Sequence, residues 1–164
     1  MKTRLSLFIL VTMGIVTFAG AEENLVKNGD FSDGSSRWSG KKNIEFETAA
    51  KKNKVCKMFV KKKRSYAFYQ TISASKKHDL IITFRLKKSD DYKGKGYRIS
   101  SGLQTATTWY WDLKPPKKRM KWKKVKLRIK KSHLKNSSHF KFIIKVKSGS
   151  SGYLMFDDFK IVEV

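Results

Sequence analysis

The chain has 164 residues with 38 Lys and Arg against 13 Asp and Glu, a formal net charge of +25, and a single cysteine. That length suits one domain with a real core and leaves no room for a second. One cysteine excludes an internal disulfide, and the charge requires a surface that attracts polyanions.

At the N-terminus, Lys2 and Arg4 precede an apolar run from Leu5 to Phe18 that ends in Ala19, Gly20 and Ala21. This pattern predicts a secretory signal peptide over residues 1–21, cut after Ala21, and a secreted or periplasmic protein of residues 22–164. The run is short for a membrane span of about 20 apolar residues, although an uncleaved anchor is the alternative, and no cysteine follows it for lipid attachment. Removing Lys2 and Arg4 from the 38 basic residues leaves 36 against 13 acidic ones. The compartment argues against intracellular nucleic acid as the partner, while extracellular DNA, anionic lipid and acidic polysaccharide all see the same field.

Beyond the opening stretch "NLVKNGDFSDGSSRW", strands are expected at Ile44–Thr48, Val55–Val60, Tyr66–Ile72, Leu80–Lys87, Tyr97–Leu103, Thr108–Leu113, within "WKKVKLRIK" and "HFKFIIKVK", and at Tyr153–Val164. Apolar residues there recur at period two, and Gly, Ser, Pro and Lys-rich turns separate the runs. In "HFKFIIKVK", Phe140, Phe142, Ile144 and Val146 face inward, with Ile143 among the outward lysines. In "WKKVKLRIK", Val125, Leu127 and Ile129 face one way, and Trp122, Lys124, Lys126, Arg128 and Lys130 the other. No later segment has a convincing helical period. The expected fold is an all-β antiparallel sandwich or barrel in which the lysines form the solvated face and discourage edge pairing. Cys56, within "VCKMFV", reads as a buried strand thiol.

The ends of the chain carry a family resemblance. "NLVKNGDFSDGSSRW" resembles the opening of the carbohydrate-binding modules of families four and nine, the cellulase C type, and "YLMFDDFKIVEV" resembles their last strand. The segments "AFYQTI", "LIITFRLKKS" and "WKKVKLRI" fall in the order found in such modules. The resemblance spans about residues 24 to 164. It implies a galactose-binding-like jelly roll with a concave, glycan-bearing sheet, a turn at Asn28–Gly29, and Phe31 and Trp38 packed into the sandwich. It also implies a structural calcium ion near the two ends, onto which Asp30 and Asp157 map. Ser32, where the family usually has Glu, removes one ligand.

Glycan sites pair aromatic platforms with a few directed polar groups. In "TTWYWDL", Trp109 and Trp111 share one face with Leu113, while Tyr110 and Asp112 share the other. The tryptophans therefore read either as core or as the lining of a ligand cleft. Tyr97 and Arg98, Arg85 with Thr83, and Tyr69 with Gln70 are further ligand candidates, each expected to direct a polar group outward. The two arginines suit a carboxylate or sulfate. Lys124, Lys126, Arg128 and Lys130, flanked by Trp122, form a second candidate. At about 6.6 Å per step they make a ladder of roughly 20 Å for a linear polyanion, or simply a solvated face.

Catalysis has no nominated constellation. His78, His133 and His139 are scattered, and Asp157 and Asp158, as strand neighbours, are expected to point to opposite faces. The expected function is non-catalytic binding of polysaccharide, anionic or displayed on an anionic surface, with a glycoside hydrolase on another chain as a possible partner. The alternatives are a general polyanion binder without a glycan cleft and a structural cell-surface domain.

Overall fold

The computed structural model describes residues 23–40, 44–48, 54–75, 77–103, 106–117, 121–134 and 139–164, with backbone alone at 101–103 and 106–109. The expected signal peptide lies outside the described residues. No helix among them is long and apolar enough to cross a membrane.

Nine strands are described: β1 (Ile44–Thr48), β2 (Lys54–Phe59), β3 (Tyr66–Ser73), β4 (Leu80–Lys88), β5 (Tyr97–Leu103), β6 (Ala106–Leu113), β7 (Lys123–Ile129), β8 (His139–Val146) and β9 (Tyr153–Glu163). They form a five-stranded sheet of order β1-β2-β9-β4-β7 and a four-stranded sheet of order β3-β8-β5-β6. All the pairings are antiparallel. The late strands β8 and β9 insert between earlier ones, so neither sheet is complete until the C-terminal third of the chain has arrived.

The period-two pattern becomes the core. Phe140, Phe142, Ile144 and Val146 of β8 are buried as expected, opposite Leu80, Ile82, Phe84 and Leu86 of β4. Phe84 stacks on Phe159 at 5.0 Å between ring centres, and Phe142 and Phe156 close around them. Cys56 is fully buried, and burial pushes its thiol pKa well above the ordinary value. Burying aromatic side chains of this size supplies about 1.5–3 kcal/mol each, and that must replace the absent disulfide.

The opening stretch is a loop rather than a strand, and it ties the two sheets together. Leu25 N–H donates to Ile161 and Phe159 N–H to Gly29, both on the β9 side, while Ser39 and Tyr69 exchange backbone bonds on the edge strand β3. Asn28 adopts a left-handed φ of 53°, accepts from Asp33 N–H through its side-chain oxygen, and donates to the carbonyls of Gly34 and Ser36. Its own carbonyl receives the Trp38 indole N–H at 3.0 Å. Gly29 lies so close to the Phe159 carbonyl that a Cβ has no space. Phe31 and Trp38 are buried, 5.5 Å apart. The Asn-Gly and the two aromatics therefore have the turn and packing roles that the resemblance implied.

One expectation about β9 is corrected. Between Thr83 and Arg85 of β4 the register shifts, and opposite that point Asp158 takes a left-handed φ of 52°. This β-bulge inserts an extra residue, so Asp157 and Asp158 do not diverge as ordinary strand neighbours would. Both carboxylates reach Arg85, each at 2.6 Å.

Candidate functional site

The outward face of the four-stranded sheet carries the most organised set of polar and aromatic side chains. Register aligns Tyr69 of β3 with Ile143 of β8, Ile143 with Ser100 of β5, and Ser100 with Tyr110 of β6. The next row runs Ala67, Lys145, Arg98, Asp112 across the same strands. Three strand spacings separate the two tyrosines, or about 14 Å.

Each tyrosine has a cation on its ring. Lys141 Nζ lies 4.3 Å from the centre of Tyr69, and the Arg98 guanidinium lies 4.2 Å from that of Tyr110. Such contacts hold aromatic rings in position and place positive charge beside them. Tyr110 is 54% exposed, whereas Ser100 between the tyrosines is only 4% exposed and forms the floor. Arg98 grips Asp112 through both carboxylate oxygens, at 2.7 and 2.9 Å, and Lys147 adds a contact of 3.1 Å. Those hydrogen bonds, Arg98's first, hold the Asp112 carboxyl well below the usual carboxylate range. Beside this row, Ser65, Lys95, Arg98, Lys145, Lys147 and Ser148 enclose a depression of about 230 Å³ in which every charged side chain is basic.

Chemically, the face offers apolar and aromatic surface, acceptors (Asp112 and the hydroxyls) and donors (Arg98 and the lysines). A sugar needs that mixture, because its hydroxyls both donate and accept. Asp112 is the one carboxylate at the described outward positions of these four strands, and a hydrolytic pair needs two across one bond.

The sequence candidates divide between the two sides of the sandwich. Arg98 and Tyr69 belong to the face just described. Tyr97 does not: it is 2% exposed and turned into the core against Phe156 and Phe84, and burial pushes its phenol pKa far above the ordinary value. Gln70 is also turned inward. Its side chain accepts from Lys27 N–H and donates to the carbonyls of Lys27 and Arg37, so it clamps the opening loop instead of meeting a ligand. Trp111 pairs with Ile99 and packs half-buried against the core. Trp109 pairs with Ser101, and its side chain lies outside the described residues.

Arg85 and Thr83 lie on the opposite side of the molecule, with Lys124 and Lys126 as their β7 partners. Trp122 sits there too, with Arg85 at 5.2 Å and Lys87 at 5.0 Å from its ring. Lys124, Lys126 and Arg128 are exposed along β7 as a ladder, with Lys130 beyond it. Arg128 is already paired with Asp79, whose carboxyl is held below its ordinary pKa first by the Lys131 N–H and then by Arg128.

The calcium expectation meets an unsuitable donor set. Asp157 is buried and holds Arg85, while the Asp30 carboxylate accepts from the N–H and hydroxyl of Ser32. Asp30 and Asp158 line one groove, but Arg85, Lys124 and Lys160 line it with them. Among the described residues no cluster of three acidic, His or Cys side chains could hold a metal. The Arg85 guanidinium supplies to Asp157 and Asp158 the positive charge that a calcium ion would otherwise bring.

The residues missed by sequence reasoning are Tyr110, Asp112, Ser100 and Lys141 as partners of Arg98 and Tyr69. Strand parity had placed Tyr110 and Asp112 together. The one further signal was Ile143, an apolar residue among the outward lysines of β8.

No family model and no curated protein matches the chain. Solved structures do. A family 61 carbohydrate-binding module in complex with β-1,4-galactotriose aligns with a TM-score of 0.65 at 17% identity, over 87% of this chain and 99% of that one. A family 4 carbohydrate-binding module aligns with a TM-score of 0.61 at 9% identity, over 84% and 99%. A Stig cyclase from Fischerella, solved with an indole ligand, aligns with a TM-score of 0.63 at 11% identity, over 86% and 96%. The architecture is therefore the jelly-roll sandwich of carbohydrate-binding modules, shared across several of their families and not tied to the cellulase C type.

Proposed function

We propose that the protein is an exported, non-catalytic binder of an anionic polysaccharide, and that the outward face of the four-stranded sheet is its site. The observation that carries this reading is the aligned row Tyr69–Ile143–Ser100–Tyr110 with Arg98 and Lys141 on its rings. The sugar rings pack across the tyrosines and Ile143. Hydroxyls meet Asp112 and Ser100, and a carboxylate or sulfate substituent enters the basic depression formed with Lys95, Lys145 and Lys147. The remaining lysines raise the local concentration of the polymer at long range. A glycoside hydrolase on another chain is the partner such binding would serve.

The test is retention of residues 22–164 on a uronic or sulfated polysaccharide, a neutral β-glucan and duplex DNA, each at low and high salt. The expected result is retention on one anionic polysaccharide at high salt, lost in Tyr69→Ala/Tyr110→Ala. Equal binding to every polyanion, abolished by salt and indifferent to those changes, would mean that the charge alone binds.

A further inference from the structure

A second, larger cavity lies away from Tyr69 and Tyr110 and shares Lys95 with the basic depression beside them. It opens between the edge strands β6 and β7, where the two sheets part, and has a volume of about 1150 Å³. Its floor is aliphatic: Val125 and Leu127 of β7 and Leu113 of β6 face the sandwich interior yet stay half-buried, with Pro115 and Pro116 beside them. Among the described residues eight lysines line the rim, Lys95, Lys114, Lys117 and Lys121 among them, and no acidic side chain does.

The polar inventory of this cleft differs from that of the tyrosine face. Apart from the lysine ammoniums, the described side chains of its lining offer only the Tyr97 hydroxyl and the Trp122 indole N–H. The side chains therefore offer donors in excess and almost no acceptor, so a neutral sugar would have to match its hydroxyl donors to backbone carbonyls alone. The floor is aliphatic, and the Trp122 ring in the wall already has Arg85 and Lys87 over it. Both features suit a ligand with an aliphatic body and a multiply charged, acceptor-only head. We infer that the cleft binds a single-chain amphiphile with a phosphate headgroup, its chain on Leu113, Val125 and Leu127 and its phosphate among the rim lysines.

A phosphate monoester carries between one and two negative charges and three acceptor oxygens, so several lysines can engage it together. The cavity is slightly above the usual range for small-molecule sites, about 300–1,000 Å³. The apolar surface is recessed, and the large exposed apolar side chains among the described residues, Tyr110 and Val164, lie outside the cleft lining. The geometry thus suits one extracted molecule rather than the flat surface of a bilayer.

The experiment is calorimetric titration of residues 22–164 with lysophosphatidic acid below its micelle concentration. Glycerol 3-phosphate, an uncharged monoacylglycerol and phosphatidic acid vesicles serve as separate arms. The expected result is saturable one-to-one binding of lysophosphatidic acid, at least tenfold tighter than either glycerol 3-phosphate or the monoacylglycerol. Lys117→Glu/Lys121→Glu, both exposed positions, should weaken it at least tenfold with an unchanged melting temperature. Tyr69→Ala/Tyr110→Ala should leave it unchanged, so this inference and the polysaccharide reading fail independently. No binding, equal binding of the headgroup alone, equal binding of the uncharged lipid, or binding to vesicles only would each overturn it.

Discussion

Arg98 holds both carboxylate oxygens of Asp112, at 2.7 and 2.9 Å, while its guanidinium lies over the ring of Tyr110. One arginine thus links the charge of the site to its aromatic surface, and Asp112 neutralises a cation that a bound anion would otherwise use. Asp112→Asn is expected to tighten binding of an anionic polysaccharide and to steepen its salt dependence, because Arg98 and Lys147 are released. Weaker binding would show that the hydrogen bonds Asp112 accepts from the sugar hydroxyls outweigh the positive charge it withholds. The same change alters pH dependence. The Asp112 carboxyl is depressed in the folded state, so its contribution to stability is present above the ordinary carboxylate pKa, about 3.9, and is lost as pH falls. Melting temperatures of wild type and Asp112→Asn should converge in acid.

Tyr110 and Trp111 are neighbours with opposite fates, one 54% exposed and the other packed against the core. Tyr110→Ala is expected to change stability by less than about 0.5 kcal/mol while removing polysaccharide binding. Trp111→Ala should cost about 2 kcal/mol, less than a fully buried aromatic, and leave binding per folded molecule intact. Urea unfolding beside a binding isotherm for each variant decides it, and exchanged phenotypes would place the ligand on the tryptophan side.

Gln70 makes three hydrogen bonds to the opening loop through a side chain that is 6% exposed. Gln70→Ala leaves the Lys27 N–H and carbonyl without these partners and is expected to destabilise the fold by about 1–3 kcal/mol. Because the loop joins β3 to β9, hydrogen exchange should quicken at Leu25, Ser39 and Tyr69 together. A loss of ligand affinity without loss of stability would contradict the clamp role.

Arg85 bridges Asp157 and Asp158 at the β9 bulge. Burial is the main cause that pushes the Asp157 carboxyl above its ordinary pKa, with Arg85 pulling the other way. Arg85→Ala removes that opposing charge and should cost about 1–3 kcal/mol at neutral pH, below the figure for a fully buried pair because Arg85 is partly exposed. A carboxyl with a raised folded pKa favours the folded state in acid and penalises it as pH rises. The deficit of Arg85→Ala should therefore shrink as pH falls into the carboxylate range. Calcium should leave the wild-type melting temperature unchanged; a clear rise would mean that Asp30 and Asp157 do share an ion.

Much of this molecule was legible in the sequence because period-two alternation is a local property. It identified the strands, the inward residues of β7 and β8, and the buried Cys56 without knowledge of any partner strand. The opening stretch was legible for a related reason: an Asn-Gly turn and two aromatics near one chain end have few structural uses. The polar candidates fared differently. Gln70 and Tyr97 look like surface residues in isolation, and only the docking of the opening loop on β3, and of β5 over Phe156, turned them inward. Asp158 could not be read correctly from parity, since the bulge exists only because β9 pairs with β4 in a shifted register. The row Tyr69–Ile143–Ser100–Tyr110 joins four strands distant in sequence, and the β6–β7 cleft exists because two sheet edges part there. The chain by itself therefore determined which residues seek the core and how positive the surface is, since both follow from side-chain chemistry and local period. Tertiary structure alone decided which cations stand beside which rings, because strand order and register are set by long-range pairing that no short stretch contains.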